Sequence, residues 1–128
     1  MNVKFYEGDR IYFRPLELDD EPKLRSWINN PLNWITLARA MPINAHRERE
    51  WLEGLYKDDR SVVFGVVIRD GHRLIGTTGL INIHPIYRRA EFGIMIGDTA
   101  MQGLGFGSEA TALTVKYGFD VLNLNRIT

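Results

Sequence analysis

The stretch Gly97-Asp98-Thr99-Ala100-Met101-Gln102-Gly103-Leu104-Gly105-Phe106-Gly107-Ser108-Glu109 decides how this chain is read. Before it lies an extended apolar run, Ala90 to Ile96, and after it a segment with helical periodicity, Ala110 to Leu122. Glycines at alternate positions, Gly103, Gly105 and Gly107, leave backbone N–H groups uncovered where that helix begins. A helix start also carries partial positive charge, so the turn is suited to a phosphate or diphosphate. It is not a Walker loop, because no lysine stands between Gly107 and Ser108. Nor is it a dinucleotide fingerprint. The third glycine comes one residue early, and Asn123 to Asn125 stand where an acid is required.

Working outward, Ile11 to Arg14 reads as a short strand stopped by Pro15. Asp19 or Asp20 then offers an N-cap, Pro22 suits a first turn, and Leu24, Trp27 and Ile28 recur at helical spacing up to Asn29-Asn30-Pro31. A second helix is expected after Asn44, with Trp51, Leu52, Leu55 and Tyr56 on one side. Val62 to Ile68 is nearly continuous apolar and β-branched, as in a strand covered on both faces. Asp70-Gly71 predicts a tight hairpin into a strand from Arg73 to Ile83, with a further strand from Arg89 to Ile96. In the last helix, Ala112, Val115, Phe119 and Leu122 predict the stripe that packs on the sheet. Arg126 to Thr128 begins a final strand. The order β-α-α-β-β-β-α-β is an α+β fold, a mixed, largely antiparallel sheet flanked by helices.

With 128 residues the chain forms one domain, 1–128. Lys+Arg and Asp+Glu balance at 16 each, so bulk charge favours neither nucleic acid nor an anionic membrane. No apolar run is long enough to span a bilayer, and Met1 to Arg10 lacks the apolar core of a signal peptide, so the cytoplasm is the expected compartment. The absence of cysteine removes disulfides, a thiol nucleophile and sulfur-based zinc sites. The three histidines have no metal-ligand spacing, and no metal is expected.

The pattern Q/R-x-x-G-x-G/A, met by Gln102, Gly105 and Gly107, resembles the acetyl-CoA loop of the GNAT superfamily of N-acetyltransferases. The segments Arg10 to Leu16, Arg88 to Ile94 and Tyr117 to Arg126 are similar to the branch containing ribosomal-protein-alanine and spermidine acetyltransferases. The likeness runs from about Arg10 to Thr128. It implies acetyl-CoA as co-substrate and direct transfer to a primary amine, a protein N-terminus first and a polyamine or amino sugar next. In the family the fold continues through a helix and further strands beyond the part matched here. The tyrosine that commonly acts there as general acid has no counterpart in this sequence; the expectation is a fragment, a truncated product or a chain that borrows those elements from a partner, and a homo-oligomer is expected.

The resemblance also implies roles. Backbone groups of Ile94, Met95 and Ile96 would hold the pantetheine arm, with the sheet splayed near Gly93 or Gly97. The amides of Gln102, Gly103, Leu104, Gly105, Phe106 and Gly107 would cradle the diphosphate, aided by the Ser108 hydroxyl. Glu91 is the candidate base, since it alternates against Ala90, Phe92 and Ile94, and a carboxylate in an apolar strand needs a reason. The competing explanation is an ion pair with Arg88, Arg89 or Arg14. Glu109 would complement the helix dipole. Trp34 and His84 are candidate acceptor contacts. The acids Glu17, Asp19, Asp20 and Glu21 would suit a polyamine or merely a solvated helix start. A non-catalytic acyl-CoA-binding module is the rival from another class.

Overall fold

The computed structural model describes residues 3–33, 41–55 and 57–128. Its six strands form one sheet in sequence order: β1 (Tyr6–Glu7), β2 (Ile11–Pro15), β3 (Val62–Ile68), β4 (Arg73–His84), β5 (Arg89–Ile96) and β6 (Arg126–Ile127). All neighbours are antiparallel except β5 and β6, where Arg89 faces Arg126 and Ala90 faces Ile127 in parallel. β1 was not anticipated; two residues carry too little pattern to read. Helices α1 (Glu21–Ile28) and α2 (Ala45–Leu55) cover one face, and α3 (Phe106–Asp120) covers the other.

Strand alternation sorts the core. Ile11 and Phe13 of β2 point to the α3 face with Phe64, Val66 and Leu80, while Tyr12 points to the α1/α2 face with Val67 and Leu74. A bulge between Val66 and Val67 restores this sorting along β4, because Ile75 is left without a direct partner. The β3–β4 connection is the expected Asp70-Gly71 turn, with Gly71 at φ 81° and His72 at φ 51°. The Asn44 side chain caps α2 by accepting the Arg47 N–H at 2.9 Å. Of the expected α2 face, Leu52 is buried and Leu55 half-buried, whereas Trp51 is exposed; Tyr56 lies outside the described residues.

α3 differs from its expected form. It starts at Phe106 and ends at Asp120, so Leu122 lies beyond it. The stripe from Ala112 through Val115 to Phe119 is not the packed face: Ala112 is exposed and Phe119 is 42% exposed. The buried face is Phe106, Ala110, Leu113, Thr114, Tyr117 and Gly118. Large apolar residues misled the reading because this face is built for close approach. A Cβ on Gly118 would stand 2.7 Å from Ile127. Thr114 is admitted because its hydroxyl meets that of Thr78 at 2.7 Å.

The acidic run before α1 is absorbed structurally. Asp20 makes two 2.9 Å bonds to the Arg14 guanidinium, and Glu21, buried, pairs with Arg25 at 2.6 Å. Glu17 and Asp20 close a reciprocal capping box, leaving Asp19 exposed. Burial opposes ionisation of Asp20, but Arg14 and the Glu17 N–H outweigh it and hold the carboxyl below its usual value.

Candidate active site

β5 turns into the glycine loop at Gly97, and a buried amide pair secures the corner. Asn33, 1% exposed, donates to the carbonyls of Trp27 (2.9 Å) and Gly97 (3.1 Å). Its oxygen accepts from Gln102 Nε2 at 2.9 Å, and that same nitrogen donates to the Ile96 carbonyl at 2.7 Å. Gly97 is required by close approach, since a Cβ there would lie 2.4 Å from the Trp27 indole. Sequence reasoning missed Asn33; a polar residue after α1 gives no hint of a partner 69 positions away.

The loop then rises through Gly103 (φ 75°) and Gly105 (φ 86°), the latter being the N-cap of α3. Both conformations are left-handed and suit glycine. The first α-helical bond runs from the Glu109 N–H to the Gly105 carbonyl at 3.1 Å. The amides of Phe106, Gly107 and Ser108 therefore precede any i→i−4 partner and project from the helix start. Gln102 departs from its expected place. Its N–H turns back on the Thr99 carbonyl at 3.5 Å and its side chain points inward, so neither faces a ligand above the loop. The Phe106 ring is buried, which leaves only its backbone for a ligand.

Arg10 clamps this helix start. Its Nε meets Glu109 at 2.8 Å, its Nη1 meets the Leu104 carbonyl at 3.1 Å, and its guanidinium lies 4.3 Å from the Phe106 ring centroid. Glu109 thus has a specific partner besides the dipole. Partial burial works against its charge, yet Arg10 and the Arg10 and Ile11 amides prevail and keep its carboxyl below the usual 4.5.

Along β5, the Ala90 carbonyl and Phe92 N–H bond to Thr128, so even-numbered residues direct their backbone groups away from β4. Pairing with β6 reaches only to Phe92, and past it no described strand covers this edge. The N–H and C=O of Ile94 and the N–H of Ile96 accordingly line an open edge leading toward the loop. Met95 is turned the other way; its backbone faces Thr77 of β4 and its side chain the α1/α2 face. There a cleft of about 480 Å³ is lined by Ile28, Glu48, Trp51, Thr77, Ile94 and Met95. Glu48, 1% exposed, was also missed, although its spacing to Leu52 places it on the inward face of α2.

Glu91 shares the Met95 face by strand parity but lies four residues away, about 13 Å along the strand. It lines a second cleft, of about 470 Å³, with Asn82, His84 and Arg89. Its partner there is the Asn82 amide. None of the three expected arginines is its hydrogen-bond partner: Arg14 holds Asp20, Arg88 donates to Asn125, and Arg89 lies over Tyr87. His84 belongs to the end of β4. Its Nδ1 accepts the Ile86 and Tyr87 amides at 3.3 and 3.0 Å, bracing the β4–β5 turn away from the Met95 cleft. Trp34 lies outside the described residues. Among the described residues no group of three His, Asp or Glu side chains converges to hold a metal, and no helix is long and apolar enough to cross a membrane.

An open strand edge runs into a glycine-capped helix start beside an apolar cleft, an arrangement that can take an extended ligand with an anionic end. The description "Acetyltransferase (GNAT) domain" matches residues 10–128, and the chain belongs to that family; the domain is that of an acetyl-CoA-dependent N-acetyltransferase. The spermidine N(1)-acetyltransferase of Escherichia coli K12 is 33% identical over 91% of this chain and 61% of its own length. A spermidine N-acetyltransferase from Vibrio cholerae, solved with CoA and spermine, superposes with a TM-score of 0.84 at 28% identity over 94% of this chain and 70% of that one. The Vibrio cholerae enzyme is also known in a dodecameric form, similar here with a TM-score of 0.74 at 27% identity over 94% of this chain and 68% of that one. The chain therefore spans roughly two thirds of the length of these relatives. These relatives are named for spermidine, whereas the acceptor expected first was a protein N-terminus.

Proposed function

We propose that the domain acetylates a small polyamine-like primary amine, with acetyl-CoA laid along the β5 edge. The observation that carries this reading is the continuity of two donor sets. Ile94 and Ile96 offer peptide groups at an open edge, which leads to the uncovered amides of 106–108 at the start of α3. A pantetheine arm would add as an extra strand, and its diphosphate would rest on amides of 103–108, with the Ser108 hydroxyl beside it. That places the thioester near Gly93 and Ile94, above the cleft beside Met95. The amine nitrogen attacks the thioester carbonyl, the Ile94 N–H stabilises the oxyanion, and collapse expels the CoA thiolate, which takes up the proton that the attacking nitrogen loses.

An alkyl ammonium must first lose its proton. Glu91 lies on the amine's side of the sheet but one cleft away, so we assign it this step through intervening water. Asp20 and Glu21 of the acidic run are already paired with Arg14 and Arg25, so ammonium recognition falls to other carboxylates. The likeness to spermidine enzymes supports the acceptor class. The exposed apolar residues Phe119 and Val121 and the dodecameric relative support self-association. The test is a calorimetric titration with acetyl-CoA, then turnover on spermidine, an alanine-starting peptide and an amino sugar. Turnover on spermidine with little on the peptide is expected. Binding without turnover on any amine would make the domain an acyl-CoA-binding module, and preference for the peptide would restore the protein acceptor.

A further inference from the structure

We propose that Asn33 and Gln102 are positioning residues that keep the glycine loop purely electropositive toward an anion. The inference rests on the reading that the diphosphate lies on the amides of 103–108. A strand that ends beside an anion site brings its own difficulty: the last carbonyls are negative dipole ends, and buried carbonyls also need donors. Here the strand's last carbonyls, those of Ile96 and Gly97, lie beside that of Trp27 at the end of α1. Each is satisfied from within by a side-chain amide.

The hydrogen count is complete. Asn33 Nδ2 has two protons, one for Trp27 and one for Gly97. Gln102 Nε2 has two, one for Ile96 and one for the Asn33 oxygen. Only neutral carboxamides can do this, because each supplies two donors and the first also supplies an acceptor to the second. An acid at either position would set a carboxylate against carbonyl oxygens and bring negative charge to the loop. A hydrocarbon at position 33 would take this donor from the Gly97 carbonyl and one at position 102 from the Ile96 carbonyl, whereas the Trp27 carbonyl keeps the Asn30 N–H at 3.3 Å. The pair also joins two functional regions: Trp27 and Ile28 end the helix that walls the acceptor cleft, and Gln102 begins the loop.

The experiment compares Gln102→Ala, Gln102→Glu and Asn33→Ala with Gly105→Val, using CoA as the calorimetric ligand at pH 7. Gln102 is exposed, so its variants fold even if Asn33→Ala does not. We expect Gln102→Ala and Asn33→Ala to weaken CoA binding about tenfold. Gln102→Glu, whose carboxylate is charged at pH 7, should bind about tenfold more weakly than Gln102→Ala. Equal affinity in Gln102→Glu and Gln102→Ala would reduce the pair to a mechanical brace and overturn the proposal. Wild-type affinity in all Gln102 and Asn33 variants, with Gly105→Val still impaired, would overturn it while leaving the loop assignment standing. Full affinity in Gly105→Val would instead remove the loop assignment itself.

Discussion

Gly105 offers the most discriminating test of the cofactor loop, because Gly103 is a control two residues away. Both have positive φ, 86° and 75°, so a side chain at either costs about 1–2 kcal/mol in backbone strain. Their surroundings differ. Nothing lies within 4 Å of a Cβ on Gly103, whereas a Cβ on Gly105 would sit 3.2 Å from Arg10 Nη2. Moving Arg10 weakens its half-exposed ion pair with Glu109, worth about 0.2–1 kcal/mol, and its stacking on Phe106, worth about 0.5–1 kcal/mol. Gly105→Ala should therefore lose about 1 kcal/mol more than Gly103→Ala, roughly fivefold in CoA affinity. That holds when relaxing the strain turns the 106–108 amides away from the ligand. Gly105→Val adds β-branching at a positive φ and should abolish binding. Calorimetric titration with CoA, with thermal melting to show that each variant is folded, reads this directly. Equal losses at the two glycines would refute the role given to Arg10, and undiminished binding by Gly105→Val would refute the loop assignment.

Three further outcomes are expected. Glu91→Gln should lower kcat/KM by no more than roughly 10²-fold, the low end for a base acting through water, most severely at low pH where the amine is protonated, and an unchanged pH–rate profile would leave Glu91 as the Asn82 partner alone. Gly97→Ala must push the Trp27 ring aside and should cost about 1–3 kcal/mol of stability, read as a Tm lowered by several degrees; an unshifted melting curve would show that the corner is loose. Glu109 and Asp20 have carboxyls held below their usual values of 4.5 and 3.8, so each adds stability above those values that is lost as pH falls through its depressed folded value. Glu109→Gln should accordingly shrink the loss of stability on acidification below pH 4.5, and an acid limb identical to wild type would show the Arg10 pairing to be energetically silent.

Strands β3 and β5, the Asp70-Gly71 turn and the glycine loop were legible in the sequence because each is specified locally. β-branching and alternation select extended backbone, and glycine selects positive φ where no other residue is comfortable. The same local logic put Glu91 on the opposite face from Ala90 and Phe92. Contacts across the sheet were not legible, because they depend on which segments the fold brings together. The choice of Thr114 and Gly118 over Phe119 for the packed face of α3 follows from how closely that helix approaches β4 and β6. The separation of Glu91 from the Met95 cleft follows from where α1 and α2 end on the sheet. Asn33 is the extreme case: its hydrogen bonds to Gly97 and Gln102 span more than 60 residues, and only the closed sheet with α1 docked on it brings those atoms within reach.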